Sequence, residues 1–180
     1  MTNILVVTGS ARPSSANSKV VEAVVANLQP REGVEVTVAD VANLALPFMN
    51  AALPPSNPAY EITDPAVKAW QDMVLAADGV VFVMPEYNHS LSAIQKNAID
   101  WLYKEWNDKP VALVAYGFYA GRHAIAQFEE INTVIKAKLD QKITGLQFGE
   151  DLEFDGSAKD ADALNEKLTV TLDELVKLAA

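Results

Sequence analysis

The feature that most constrains this chain is the run Val80-Val81-Phe82-Val83-Met84, which stops at Pro85 and passes through Glu86-Tyr87-Asn88-His89-Ser90 into a helical pattern. An apolar run with no polar alternate describes a strand covered on both faces. From about Ser90, Leu91, Ile94, Ala98, Trp101 and Leu102 recur at spacings of three and four, which predicts a helix with one apolar face. Strand, short turn and helix together place the turn where open α/β sheets bind ligands, outside the carboxyl ends of the strands.

The same grammar recurs along the chain. Ile4 to Thr8 reads as a buried strand, and Gly9 to Asn17 forms a loop after it. Val20, Val21, Val24, Val25 and Leu28 then make an apolar helical face that Pro30 and Gly33 end. Val34, Val36 and Val38 alternate with polar neighbours, the pattern of a short edge strand. Asp40 to Thr63 carries four prolines and little periodicity, and is expected to be a long irregular connection with Leu44, Leu46 and Phe48 tucked against the body. Asp64-Pro65 is a helix start, a capping residue before proline at the first helical position. Val111 to Ala115 predicts a fourth strand, and Ile125, Phe128, Ile131, Ile135 and Leu139 the helix after it. Lys142 to Phe148 predicts the fifth strand, and Leu164, Leu168, Leu172 and Leu175 the last helix.

Strands alternating with helices argue for a parallel sheet covered on both sides by right-handed crossovers. The expectation is an α/β, flavodoxin-like, doubly wound five-stranded sheet of order 2-1-3-4-5, forming a single domain over residues 1–180. Its switch point falls between the first and third strands, where the loops at Gly9 and Pro85 both emerge.

Composition removes several classes of function. The net charge is −10 and no basic stripe is visible, which sets nucleic acid aside as a partner. There is no cysteine, so thiolate chemistry and Cys-based metal sites are excluded. His89 and His123 are the only histidines and share no metal-ligand spacing, so no metal site is expected. Met1-Thr2-Asn3 leads into a short apolar run with no basic leader, so a cytoplasmic chain with no membrane partner is expected.

Three loops gather at the expected crevice. Gly9-Ser10-Ala11-Arg12-Pro13-Ser14-Ser15-Ala16-Asn17 opens a helix whose first N–H groups lack partners within the helix. Ser10, Ser15 and Asn17 can donate hydrogen bonds and Arg12 can grip a phosphate from two directions, which together make an anion cradle. An N-capping cluster with a solvated Arg12 explains the same residues. Pro85 to Asn88 supplies exposed amides and a flat aromatic, suited to the edge of a planar heterocycle; Tyr87 as a plain core or interface aromatic, Glu86 as a solvated carboxylate and His89 as a turn residue are the alternatives. Tyr116-Gly117-Phe118-Tyr119-Ala120-Gly121-Arg122 follows the fourth strand, with glycines that let backbone approach the same ligand. No nucleophile–base pair is present, so no catalytic side chain is expected. A phosphate cradle beside a planar-ring edge points to flavin mononucleotide (FMN), which carries the redox chemistry itself.

The Gly9–Asn17 loop resembles the GSxRxxSxN signature of the NADPH-dependent FMN reductase family. Pro85-Glu86-Tyr87-Asn88-His89-Ser90 followed by Lys96-Asn97-Ala98-Ile99-Asp100-Trp101-Leu102 resembles that family's PEYNxSxPGxLKNAIDWL block. The resemblance implies a flavodoxin-like fold, bound FMN, and reduction of flavins, quinones, azo dyes or metal oxyanions by NADPH or NADH in a homodimer or homotetramer. Carried onto this chain, it implies that Ser10, Arg12, Ser15, Asn17 and Ser18 surround the phosphate. Pro85, Glu86, Tyr87 and Asn88 would line the ring and ribityl, and the turn from Tyr116 and Gly117 to Gly121 would close the far side. Ser92-Ala93 stands where the family carries Pro-Gly, and the third loop is poorer in glycine. The leading expectation is therefore a ping-pong oxidoreductase acting on a small-molecule acceptor. A non-catalytic flavodoxin-like FMN carrier is the alternative. Trp101 and Trp106 on the predicted helix from Leu91 to Trp106 exceed what one core face needs, which suggests a two-fold interface there.

Overall fold

The strands of the chain all run the same way, and each next one is reached through a helix or connection on one of the two sheet faces. A computed structural model describes residues 1–180. The elements in chain order are β1 Thr2–Val7, α1 Asn17–Leu28, β2 Val34–Ala39, α2 Pro65–Ala76, β3 Gly79–Pro85 and α3 Ala93–Asp100. Then follow β4 Pro110–Gly117, α4 Arg122–Ile135, β5 Lys138–Leu139, β6 Thr144–Gln147 and α5 Ala161–Ala179. The order β2-β1-β3-β4 is all parallel, with Ile4 beside Gly79 and Val80 beside Val111. No helix is long and apolar enough to cross a membrane.

Period-two alternation explains the unbroken apolar run of β3. Val80, Phe82 and Met84 face a layer built by α2, α3 and α4, while Val81 and Val83 face α1 and α5. The first layer is aromatic: Phe82 packs 5.7 Å from Trp106 and 5.2 Å from Phe128, and Trp106 lies 6.0 Å from Trp70. The second is aliphatic, with Val20, Val24 and Leu28 of α1 meeting Leu164, Leu168, Leu172 and Leu175 of α5. β2 is the edge strand its alternation predicts, exposing Glu35 and Thr37.

Four features depart from the sequence reading. The fifth strand position is filled by two pieces, β5 beside the start of β4 and β6 beside its end. Asp140 parts them: its N–H bonds the Val111 carbonyl while its own carboxylate accepts the Lys142 N–H at 2.7 Å, and the chain turns away. Leu139 accordingly belongs to β5, not to the helix. Phe48 is 80 % exposed and is not tucked in, whereas Leu44 and Leu46 are.

The fourth departure concerns α3, which ends at Asp100 instead of running to Trp106. Its final carbonyls are taken by indoles: Trp70 Nε1 donates to Ala98 O at 2.8 Å and Trp106 Nε1 to Ile99 O at 3.2 Å. Trp101 Nε1 donates to Pro47 O, which anchors the irregular connection. Trp101 and Trp106 are buried within the chain itself. Tryptophan count therefore gives no argument for an interface at this helix.

Candidate functional site

β1 and β3 are neighbours in the sheet, and their C-terminal loops meet above it. Gly9 makes that meeting possible, because a Cβ there would collide with Pro85 Cδ and the Val83 carbonyl oxygen. Asn17 locks the same joint. It is buried, its Oδ1 accepts the Gly9 N–H at 3.0 Å, and its Nδ2 donates to the Val83 carbonyl at 3.2 Å. Its amide, read from sequence as a ligand donor, ties the two loops together. Ser10 adds a second tie: its Oγ lies 2.8 Å from Tyr87 Oη and accepts the Arg12 N–H.

One contributor went unnoticed in the sequence. Gln95 of α3 is fully buried under the crevice, and its Nε2 donates to the Thr8 carbonyl at 3.1 Å, near those of Val7 and Val83. Its Oε1 has no partner. The family block carries leucine at this place, so an amide replacing an apolar side chain on a buried helix face was the available signal.

Around the first loop, polar groups are left without partners. The capping position of α1 is Ala16, which has no side chain to offer, whereas Asp64, Ser92 and Asp160 cap α2, α3 and α5. Ser15 takes part of that task, its Oγ accepting the Asn17 N–H and its carbonyl the Ser18 N–H and hydroxyl. The Arg12 guanidinium makes no ion pair and rests over the Tyr87 ring, 5.7 Å from its centroid. Tyr116 comes up from below. Alternation along β4 turns its ring to the α1 side, towards Ser15 and Asn17, not to the far wall that its loop position suggested. It is 3 % exposed and its hydroxyl makes no hydrogen bond of good geometry, though Ser15 and Asn17 come near enough to favour its charged form; burial outweighs them and pushes that phenol up to about 12. The cleft here measures about 310 Å³ and includes Thr8, Ser10, Arg12, Ser15, Ser18 and Asp40. A larger hollow of about 690 Å³ lies in the irregular connection around Asn50, Tyr60 and Trp101, away from the strand ends.

The second turn is built in the opposite way. Tyr87 and Ser90 exchange both backbone hydrogen bonds, and Asn88 and His89 close the turn with positive φ of 50° and 61°. The Glu86 N–H is occupied by the Tyr116 carbonyl at 2.9 Å. Of the amides expected to face a ring edge, that of Asn88 remains free, and so does that of His89 beside it in the turn. The Glu86 carboxylate is turned away to cap α4, with Oε2 accepting the His123 N–H at 3.0 Å and Oε1 bonded to His123 Nδ1 at 2.9 Å. Ser92 caps α3 through the Gln95 N–H, so the Ser-Ala pair in place of Pro-Gly still starts the helix cleanly. Gly121, at φ 69°, allows the third loop to close, since a Cβ there would collide with Ala115 and the Tyr116 nitrogen. Gly117 lies under Glu86 with less crowding, its nearest neighbour being the Glu86 Cβ.

The family model described as NADPH-dependent FMN reductase matches residues 2–139. An NAD(P)H-dependent FMN reductase of Nectria sp is 33 % identical over 77 % of this chain and 72 % of its own. An NADPH:quinone oxidoreductase of Arabidopsis thaliana is 36 % identical over 51 % of this chain and 52 % of its own. Against several curated relatives the match spans only about half of their length. Among solved structures, the flavoenzyme NAD(P)H:acceptor oxidoreductase of Paracoccus denitrificans aligns over 98 % of both chains with a TM-score of 0.75 at 24 % identity. An azoreductase aligns over 99 % of both with 0.58 at 18 %. These two likenesses concern the fold.

Proposed function

The chain belongs to the NADPH-dependent FMN reductase family, and from that premise we propose that it binds FMN and passes electrons in pairs from NAD(P)H to a small-molecule acceptor, by a ping-pong cycle. Flavins, quinones, azo dyes and metal oxyanions are the candidate acceptor classes. The observation that carries the reading is the unpartnered set at the first loop: the Arg12 guanidinium without a carboxylate, the Tyr116 hydroxyl without a partner, and an α1 terminus capped by alanine.

These residues fit a phosphate. Arg12, Ser15 and Ser18 would hold its oxygens, with the α1 terminus favouring its charge. Tyr116 would donate from beneath, a role its buried phenol suits because it stays protonated at neutral pH. Asp40 lies on the same rim but its carboxylate is held by Thr8 Oγ1, the Ala42 N–H and Asn43 Nδ2, turned into its own loop. Ser10 and Asn17 would act by fixing the loop against β3. At the other end Pro85, Tyr87 and the free amides of Asn88 and His89 would border the ring, with Gly117 and Gly121 behind. Bound flavin supplies hydride acceptance and donation; the chain binds it, orients it and shapes the approach of the two substrates.

We carry residues 1–180 as one domain and the homodimer or homotetramer of the family as part of this reading, the latter open to light scattering. The decisive experiment is titration of the purified chain with FMN by flavin fluorescence, followed by NADH and NADPH oxidation with benzoquinone, FMN, an azo dye and ferricyanide. Quenching with turnover on at least one acceptor is expected. Unquenched flavin ends the reading, and quenching without NAD(P)H oxidation turns it into an electron carrier.

A further inference from the structure

Two-electron reduction of a quinoid acceptor needs one hydride and one further proton, and the second proton must come from somewhere. The only two histidines of the chain, far apart in sequence, are in face-to-face contact at the outer wall of the proposed ring site. Their ring centroids are 4.0 Å apart and their planes 18° from parallel. His123 is the inner member, gripped by Glu86, whose side chain is only 5 % exposed. A carboxylate only accepts, so Nδ1 of His123 carries a hydrogen. His89 is the outer member, exposed at the tip of the turn between Tyr87 and Ser90. Tyr119 packs edge-on against both imidazoles at 5.6 Å and holds the Arg122 guanidinium over its own face at 5.0 Å. Glu86 from the second turn and Arg122 from α4 are the charged groups around the pair.

Capping of α4 needs only the Glu86 carboxylate and the His123 backbone N–H, so the stacked imidazoles are surplus to the fold. The donor atoms of Glu86, His89 and His123 lie within 4.8 Å of one another, but two nearly parallel rings aim their lone pairs side by side and not at one point. That is the arrangement of a proton-handling pair and not of a cation site. The geometry points to His89 as the group that protonates the acceptor, with His123 and Glu86 as positioning residues that hold its ring. Imidazole is the side chain suited to this task near neutral pH.

The step rests on the FMN reductase reading, which supplies the hydride. The acceptor receives two electrons and one proton as hydride. At its other oxygen an O–H bond forms as the N–H bond of the His89 imidazolium breaks, leaving neutral imidazole that takes a proton back from water. One NAD(P)H and one proton are consumed for each hydroquinone made.

The test compares benzoquinone with ferricyanide, which takes single electrons and no proton. In the FMN-loaded chain, His89→Asn should lower kcat for benzoquinone by about 100-fold with little change in KM. The rate with ferricyanide should fall far less, and added imidazole should restore part of the quinone rate. Equal loss with both acceptors, no loss, or no rescue by imidazole overturns the proposal. A wild-type chain inactive with every acceptor would instead overturn the underlying reading. A readout independent of turnover is the ¹⁵N spectrum of the flavin-free chain: the His123 proton should reside on Nδ1, and a proton on Nε2 removes the positioning role.

Discussion

The two loops that meet at the switch point are built on opposite principles. After β3, the turn is fastened internally: Tyr87 pairs with Ser90, Glu86 with His123 and the Tyr116 carbonyl, and the His89 ring stacks on His123, while the Asn88 and His89 N–H groups stay free. After β1, Ser10, Ser15, Asn17 and Ser18 are hydrogen-bonded, but the Arg12 guanidinium has no carboxylate, the helix behind it is capped by alanine, and the Tyr116 hydroxyl of β4 is unbonded beneath. Of the unpartnered groups only the Tyr116 hydroxyl is buried, so its unmade hydrogen bond is the one that costs stability. The contrast assigns roles. On the proposed reading the fastened turn would be a wall whose shape is set before anything binds, and the first loop would be completed by the phosphate.

The largest expected effect lies at the joint between the two. Gly9→Ala places a Cβ inside Pro85 and the Val83 carbonyl and should destabilise the chain by about 3 kcal/mol, through overpacking of a buried backbone crossing. Denaturant unfolding measures it. A variant as stable as the parent would mean that the loops do not touch as described, and the comparison would lose its frame.

Next in size is Arg12→Ala. It should weaken FMN binding by about 1–3 kcal/mol, the worth of a charge-assisted hydrogen bond, while the melting temperature of the flavin-free chain hardly moves, because Arg12 has no carboxylate partner to lose. Glu86→Gln sharpens the contrast by reversing the pattern. It should cost the flavin-free chain about 1 kcal/mol through its weakened hold on α4, and change FMN affinity less than Arg12→Ala does. If both variants shift stability and affinity in the same proportion, the division into wall and cradle is wrong.

Much of this was legible beforehand, for identifiable reasons. Apolar periodicity reports which faces are covered, so the layers, the strand order and the Asp64 cap followed from patterns a few residues long. The split of the fifth strand did not, because it turns on one buried carboxylate bonding two residues ahead. Nor did the end of α3, since nothing local to Asp100 announces that Trp70, thirty residues earlier in the chain, will take the Ala98 carbonyl. Site residues were legible by position and less so by role. Asn17 and Glu86 stand at the crevice as expected, yet their side chains serve Gly9 and Val83 in one case and α4 in the other. Whether a polar side chain is free for a ligand depends on long-range pairing, which spacing does not record. Beside the amide at Gln95, strand parity is a usable clue: counting alternately along β4 from Ala112 and Val114 puts Tyr116 on the α1 face.

Tyr116 gives the smallest effect and the most specific one. Tyr116→Phe should weaken FMN binding by about 1 kcal/mol, one hydrogen bond, and leave the flavin-free chain no less stable, since it deletes a buried hydroxyl that bonds nothing. Alkali tests the same premise without flavin. Burial holds this phenol neutral up to about 12, whereas in the unfolded chain it ionises near its ordinary 10.0. The folded chain thus keeps a proton that the unfolded chain gives up. The contribution to stability is whole below the unfolded value and is lost as pH rises from about 10 through about 12. Tyr60 is also raised, by burial and then by Glu105, so two of the five tyrosines should lag in a phenolate absorbance titration. Tyr116→Phe should remove one of the two and leave Tyr60 in place. If all tyrosines of the parent ionise together near 10, the hydroxyl is reached by water, its want of a partner means nothing, and the cradle loses the donor at its floor.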